Sequence, residues 1–135
     1  MKKLLLTVVF CMIGFNAFAL ELRCAITEIK YVKTYTSSGA LYENSKESMF
    51  EKAGEWVSIF DDYCKAKGFR FKLKKTDEQY RCSFNMGNKK KTVFDTIIID
   101  RYTGKAEFYK EHRKENRVSF EQLVIRQCEK PVRKF

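Results

Sequence analysis

The sequence predicts an α+β domain: an antiparallel β-meander of about four to six strands with one amphipathic helix packed on it, stabilised by disulfides. Three patterns predict this. Beyond Gly68 apolar residues recur at every second position, the period of a strand with one buried face. A single stretch, Ser48 to Gly68, instead places them at three- and four-residue steps. Four widely spaced cysteines then supply covalent ties suited to a small core.

Each element has its own residues. At the start Leu22, Cys24 and Ile26, then Ile29, Tyr31 and Tyr35, alternate with polar positions, and a phase slip near Thr27 suits one strand with a bulge or two short strands. Thr36 to Gly39 is a loop. The helix over Ser48–Gly68 opens on a capping box, Ser48 with Glu51, and carries a stripe of Phe50, Ala53, Val57, Phe60 and Cys64. Gly68 stands where a left-handed helix cap belongs. Phe69, Phe71 and Leu73 then point one way, and Arg70, Lys72 and Lys74 the other. Thr76-Asp77-Glu78 turns the chain into Tyr80, Cys82, Phe84 and Met86. Gly87-Asn88 and three lysines make the next turn. Thr92 to Asp100 is the most apolar strand. Tyr102-Thr103-Gly104 is its hairpin loop, Lys105–Lys110 its partner, and Val118 to Cys128 is apolar enough for a last strand, with a helix as the alternative.

The first residues have a different character. Lys2 and Lys3 precede an uncharged run from Leu4 to Phe15, and Ala17-Phe18-Ala19 places small residues where a signal peptidase reads them. Residues 1–19 therefore read as a cleavable signal, cut after Ala19, since a dozen or so apolar residues fall short of the roughly 20 that span a bilayer. Leu20 to Phe135 is the expected mature domain, ending in a short basic tail from Pro131. The expected address is periplasmic or secreted, with no transmembrane anchor after cleavage.

Cleavage removes Cys11 and leaves Cys24, Cys64, Cys82 and Cys128. In an exported chain these read as two disulfides. Three connectivities are possible, and the preferred one joins Cys64 to Cys82 and Cys24 to Cys128. Their wide spacing and the single histidine speak against a zinc site or a redox C-x-x-C pair.

Charge is divided unevenly. The formal net charge is +10, yet residues 20–68 hold seven Lys/Arg against eight Asp/Glu, while residues 69–135 hold 18 against nine. Arg70, Lys72 and Lys74 on one strand face, with Lys89, Lys90 and Lys91 at a turn, are the candidate anion-binding residues. Export makes nucleic acid an unsuitable target. No catalytic residues stand out. His112 lies in the charged run Lys110–Lys114, Asp61 and Asp62 are adjacent, and Asp95 and Asp100 fall on opposite faces of a strand. The chain carries no phosphate-binding glycine loop and no metal signature, so neither a cofactor nor an enzymatic role is expected.

Two segments carry resemblances. Ile99-Asp100-Arg101-Tyr102-Thr103-Gly104, with the late Cys128 and terminal Lys134-Phe135, resembles small exported bacterial proteins of uncharacterised function that share an I-D-R-x-T-G hairpin. That likeness implies an exported β-rich domain. Ser38-Gly39-Ala40-Leu41-Tyr42 and Phe50-Glu51-Lys52 are similar to the S-G-x-x-Y and W-x-K-G segments of periplasmic C-type lysozyme inhibitors, with Phe50 for the tryptophan and Ala53 for the glycine. This likeness implies that Ser38 and Lys52 reach into a lysozyme cleft. The leading expectation is a non-enzymatic binding protein facing an anionic envelope component or a protein partner. An inhibitor of a lysozyme-like enzyme, or a small envelope hydrolase, is the alternative.

Overall fold

A computed structural model describes residues 19–45 and 54–130. The signal segment up to Phe18 with Cys11, the Ser48/Glu51 capping box, Phe50, Lys52, Ala53 and the tail from Pro131 all lie outside the described residues. Those described form nine strands: β1 (Leu20–Tyr35), β2 (Leu41–Ser45), β3 (Gly54–Ile59), β4 (Tyr63–Ala66), β5 (Phe69–Lys75), β6 (Gln79–Gly87), β7 (Lys91–Asp100), β8 (Lys105–Lys114) and β9 (Arg117–Glu129). Every neighbouring pair is antiparallel.

The sheet closes on itself. β1 pairs with β3 over its first residues and with β2 over its last, while its other edge pairs with β9 from Arg23↔Glu129 to Thr34↔Phe120. The result is an all-β, eight-strand antiparallel barrel in which β2 and β3 share one position in the wall. Closure gives the edges of β1 and β9 a partner, which an open meander would leave exposed.

This corrects the α+β expectation. No helix occurs among the described residues, and Gly54–Gly68 forms β3, β4 and the turn between β4 and β5. The apparent helical stripe arises because two short strands of period two are joined by a turn. Val57 and Ile59 face inward from β3, and Cys64 and Ala66 face inward from β4. Asp61-Asp62 at the turn resets the phase, so apolar residues fall at steps that resemble 3.6. Trp56, Val57, Ile59, Phe60 and Tyr63 are β-branched or aromatic, the types that favour a pleated surface. Gly68 does take positive φ, at 78°, and Lys67 before it sits at 55°. Together they form a two-residue hairpin turn of the kind that matches strand twist, not a helix cap.

The bulges of β1 keep its inner face in phase. Its register against β9 shifts between Ile26 and Glu28 and again between Ile29 and Tyr31. Each shift adds a residue, so Ile26, Ile29 and Val32 stand opposite Arg126, Val124 and Gln122, all three buried on β9. The first shift is the one near Thr27 that the sequence marks; the second is hidden by the apolar Tyr31.

Inside, Phe71 and Phe108 are almost fully buried among Val57, Ile97, Ile99, Ala106 and Val124. Each such ring contributes roughly 1.5–3 kcal/mol by leaving water. Two disulfides cross this core, Cys24–Cys128 between β1 and β9 and Cys64–Cys82 between β4 and β6. No helix of the described residues is long and apolar enough to cross a membrane.

Candidate anion-binding face

The alternation of β5 sets up the site. Phe71 and Leu73 turn into the barrel, so Arg70, Lys72 and Lys74 are placed outward and exposed. Pairing with the neighbours adds two cations that sequence reading missed. Lys65 of β4 stands directly opposite Arg70, and Arg81 of β6 directly opposite Lys74. Like charges facing each other across a strand pair are unfavourable. None of the five makes an ion pair among the described residues. The Arg70 guanidinium lies 3.8 Å from the centroid of the Tyr63 ring, a stacked contact that fixes its direction.

Lys89, Lys90 and Lys91 belong elsewhere. They form the β6–β7 turn and the start of β7, at the opposite end of the barrel from the β5–β6 turn that follows Lys74. Asn88 Oδ1 accepts from the backbone N–H of Lys90 (2.9 Å) and of Lys91 (3.1 Å), which shapes the turn and leaves the three side chains exposed. Their strand neighbour is β8, where Lys91 stands opposite Lys114 and Thr92 opposite Arg113. The six predicted residues thus divide into a strand-face group and a rim group. Only the first gains further cations on both adjoining strands.

The opposite wall behaves differently. On the outer face of β1, β8 and β9, Tyr35 donates its hydroxyl hydrogen bond to Glu121 Oε1, and Tyr109 donates to Oε2 at 3.3 Å. The Glu121 hydrogen bond, together with burial, pushes the Tyr35 phenol up to about 12. Burial first, then the nearby Glu111 and Glu121, raises that of Tyr109. Glu111 is itself paired with Arg113 at 3.3 Å. These carboxylates have partners within the fold, whereas the β4–β6 cations have no carboxylate partner among the described residues.

The remaining chemically capable groups point inward or serve turns. His112 lies on the inner face of β8, half-buried beside Phe120 with ring centroids 5.1 Å apart. Burial, then Lys110, holds its pKa below the usual value, and Asp95 opposes that in part. Lys110 and Asp95 are 4.0 Å apart inside the barrel. Asp95 faces inward, whereas Asp100 Oδ1 accepts from the N–H groups of Tyr102 (2.8 Å) and Thr103 (3.0 Å), which lower its pKa. Asp61 and Asp62 are exposed at the β3–β4 turn. Ser38 lies exposed in the β1–β2 loop, with its hydroxyl 2.9 Å from that of Thr36. Among the described residues no cluster of three or more His, Cys, Asp or Glu side chains could hold a metal ion. No protein family, curated protein or solved structure matches the chain.

Proposed function

We propose that this chain is an exported, non-enzymatic binding protein that holds an anionic component of the cell envelope on the outer face of β4, β5 and β6. One observation carries the reading: Lys65, Arg70, Lys72, Lys74 and Arg81 lie side by side with like charges opposed across the strands, and none has an ion-pair partner among the described residues. A bound anion would relieve that repulsion, so binding and local stability are linked. The disulfides fit an oxidising compartment outside the cytoplasm, where phosphates of envelope lipids and wall polymers are the abundant anions.

Cosedimentation with vesicles tests it. Binding to vesicles rich in an anionic lipid is expected at low ionic strength and not at 1 M salt, where the Debye length falls to about 3 Å. Replacing Lys72, Lys74 and Arg81 by serine should weaken it at least tenfold, whereas replacing Lys89, Lys90 and Lys91 should have a smaller effect. Equal binding by wild type and the strand-face variant would sink the proposal.

A further inference from the structure

The face just described contains one irregularity that gives it a shape as well as a charge. β5 and β6 are paired from Lys75↔Tyr80 to Lys72↔Ser83, and there the ladder ends. Both strands continue: β5 up to Phe69 on the arm of β4, and β6 up to Gly87 on the arm of β7. The next pairs in register, Phe71 with Phe84 and Arg70 with Asn85, lie outside the ladder, so the two strands part. Behind the split the wall stays closed, because the Phe84 ring packs against those of Phe69 (5.2 Å) and Phe71 (5.4 Å). The outer side is therefore a recess with a floor, of about 400 Å³.

We propose that this recess is a subsite for a phosphorylated sugar; the inference rests on the anion-binding reading above and names its ligand class. The outward side chains that line it are Arg70, Lys72, Ser83, Asn85, Phe94 and Thr96, and the inward Phe84 and Asp95, the latter 4.0 Å from Lys110, complete its lining. Arg70 and Lys72 form one side and supply two cations for a phosphate. Ser83, Asn85 and Thr96 form the other side and offer two hydroxyls and a carboxamide, the neutral donor and acceptor set that matches sugar hydroxyls. Phe94, opposite Asn85, gives an apolar ring for the C–H face of a pyranose. A bare phosphate would use only the cationic side. A sugar phosphate uses both, and the volume is within the range of small-molecule sites.

Titration calorimetry with glucosamine 6-phosphate, glucosamine and inorganic phosphate at low ionic strength separates these cases. The sugar phosphate is expected to bind at least tenfold more tightly than phosphate, and glucosamine not measurably. Ser83→Ala with Asn85→Ala, both exposed positions, should bring the sugar phosphate down to the level of phosphate and leave phosphate binding and thermal melting unchanged. Lys74→Ser with Arg81→Ser, outside the recess, should weaken vesicle binding while preserving the preference for sugar phosphate. Vesicles bearing a phosphorylated glycolipid, set against phosphatidylglycerol vesicles of equal charge, separate a lipid-borne ligand from a soluble one. Preference for the glycolipid assigns the former, and equal retention with free sugar phosphate still bound assigns the latter. Equal affinities for phosphate and sugar phosphate, or no effect of the Ser83/Asn85 pair, overturn the subsite. If anionic vesicles still bind in that event, the wider face survives; if nothing anionic binds, both readings fall.

Discussion

Gly104 shows how much one residue can hold in this fold. Its φ is +76°, and a Cβ there would lie 2.4 Å from the Cys128 carbonyl oxygen and 2.9 Å from Gln127 Nε2. Its own carbonyl accepts from the Cys128 N–H at 2.8 Å, and its N–H donates to the Asp100 carbonyl at 2.9 Å. The I-D-R-Y-T-G hairpin and the late cysteine are thus one contact, with the glycine between them. Gly104→Ala should cost about 2–3 kcal/mol, from backbone strain plus displacement of β9. Gly39→Ala, at φ +89° in open space, should cost about 1 kcal/mol. Urea denaturation with intact disulfides measures both, and equal losses would contradict the role given to the Cys128 contact. His112 makes a second residue-scale prediction. Its folded pKa lies below the unfolded value of about 6.5, so the unfolded chain takes up the proton first. Stability is then full above about pH 6.5 and declines as pH falls from there through the folded pKa. His112→Gln should flatten the decline in that window, measured as urea midpoint against pH. A variant curve parallel to wild type would refute it.

At the scale of elements, what was legible depended on whether a strand's evidence lay within itself. β5 and β7 were readable because Phe71 and Leu73, or Ile97 and Ile99, alternate over enough residues to fix the period. The turns at Thr76–Glu78, Asn88–Lys90 and Tyr102–Gly104 were readable from their own side chains. β3 and β4 were not, since six and four residues are too few to separate period two from 3.6 across a turn. The disulfide Cys64–Cys82 could have been a clue. A bridge between the outer two of three consecutive meander arms is natural when both ends are strands with inward cysteines. The candidate site divided in the same way. Arg70, Lys72 and Lys74 share one strand and were visible together. Lys65 and Arg81 join them only through register, and the split above Lys72↔Ser83 has no signature in composition at all.

Among the described residues the barrel carries its facing strand cations on one side of the wall. β5 and β9 stand four places apart around an eight-place wall, hence across the barrel from each other. Glu111 and Glu121 lie on the β9 side and the cations of β4–β6 on the opposite wall, an asymmetry that steers a distant anion toward β5. The bridge between Cys24 and Cys128 has another consequence, for survival among proteases. Nearly all of the described chain lies between those two residues, 104 apart in sequence. A single cut anywhere between them leaves each fragment holding one half of the same cystine. Exposed lysines at the turns, Lys75 and Lys89 among them, are natural points of attack for trypsin. A briefly trypsin-treated sample should therefore run as one undiminished band without reductant and as two fragments with it. Two bands without reductant would show that the ring is not closed. Closed, it turns a first proteolytic event from a loss of material into a nick, and the strand ladders on either side can hold the barrel together while the chain is already broken.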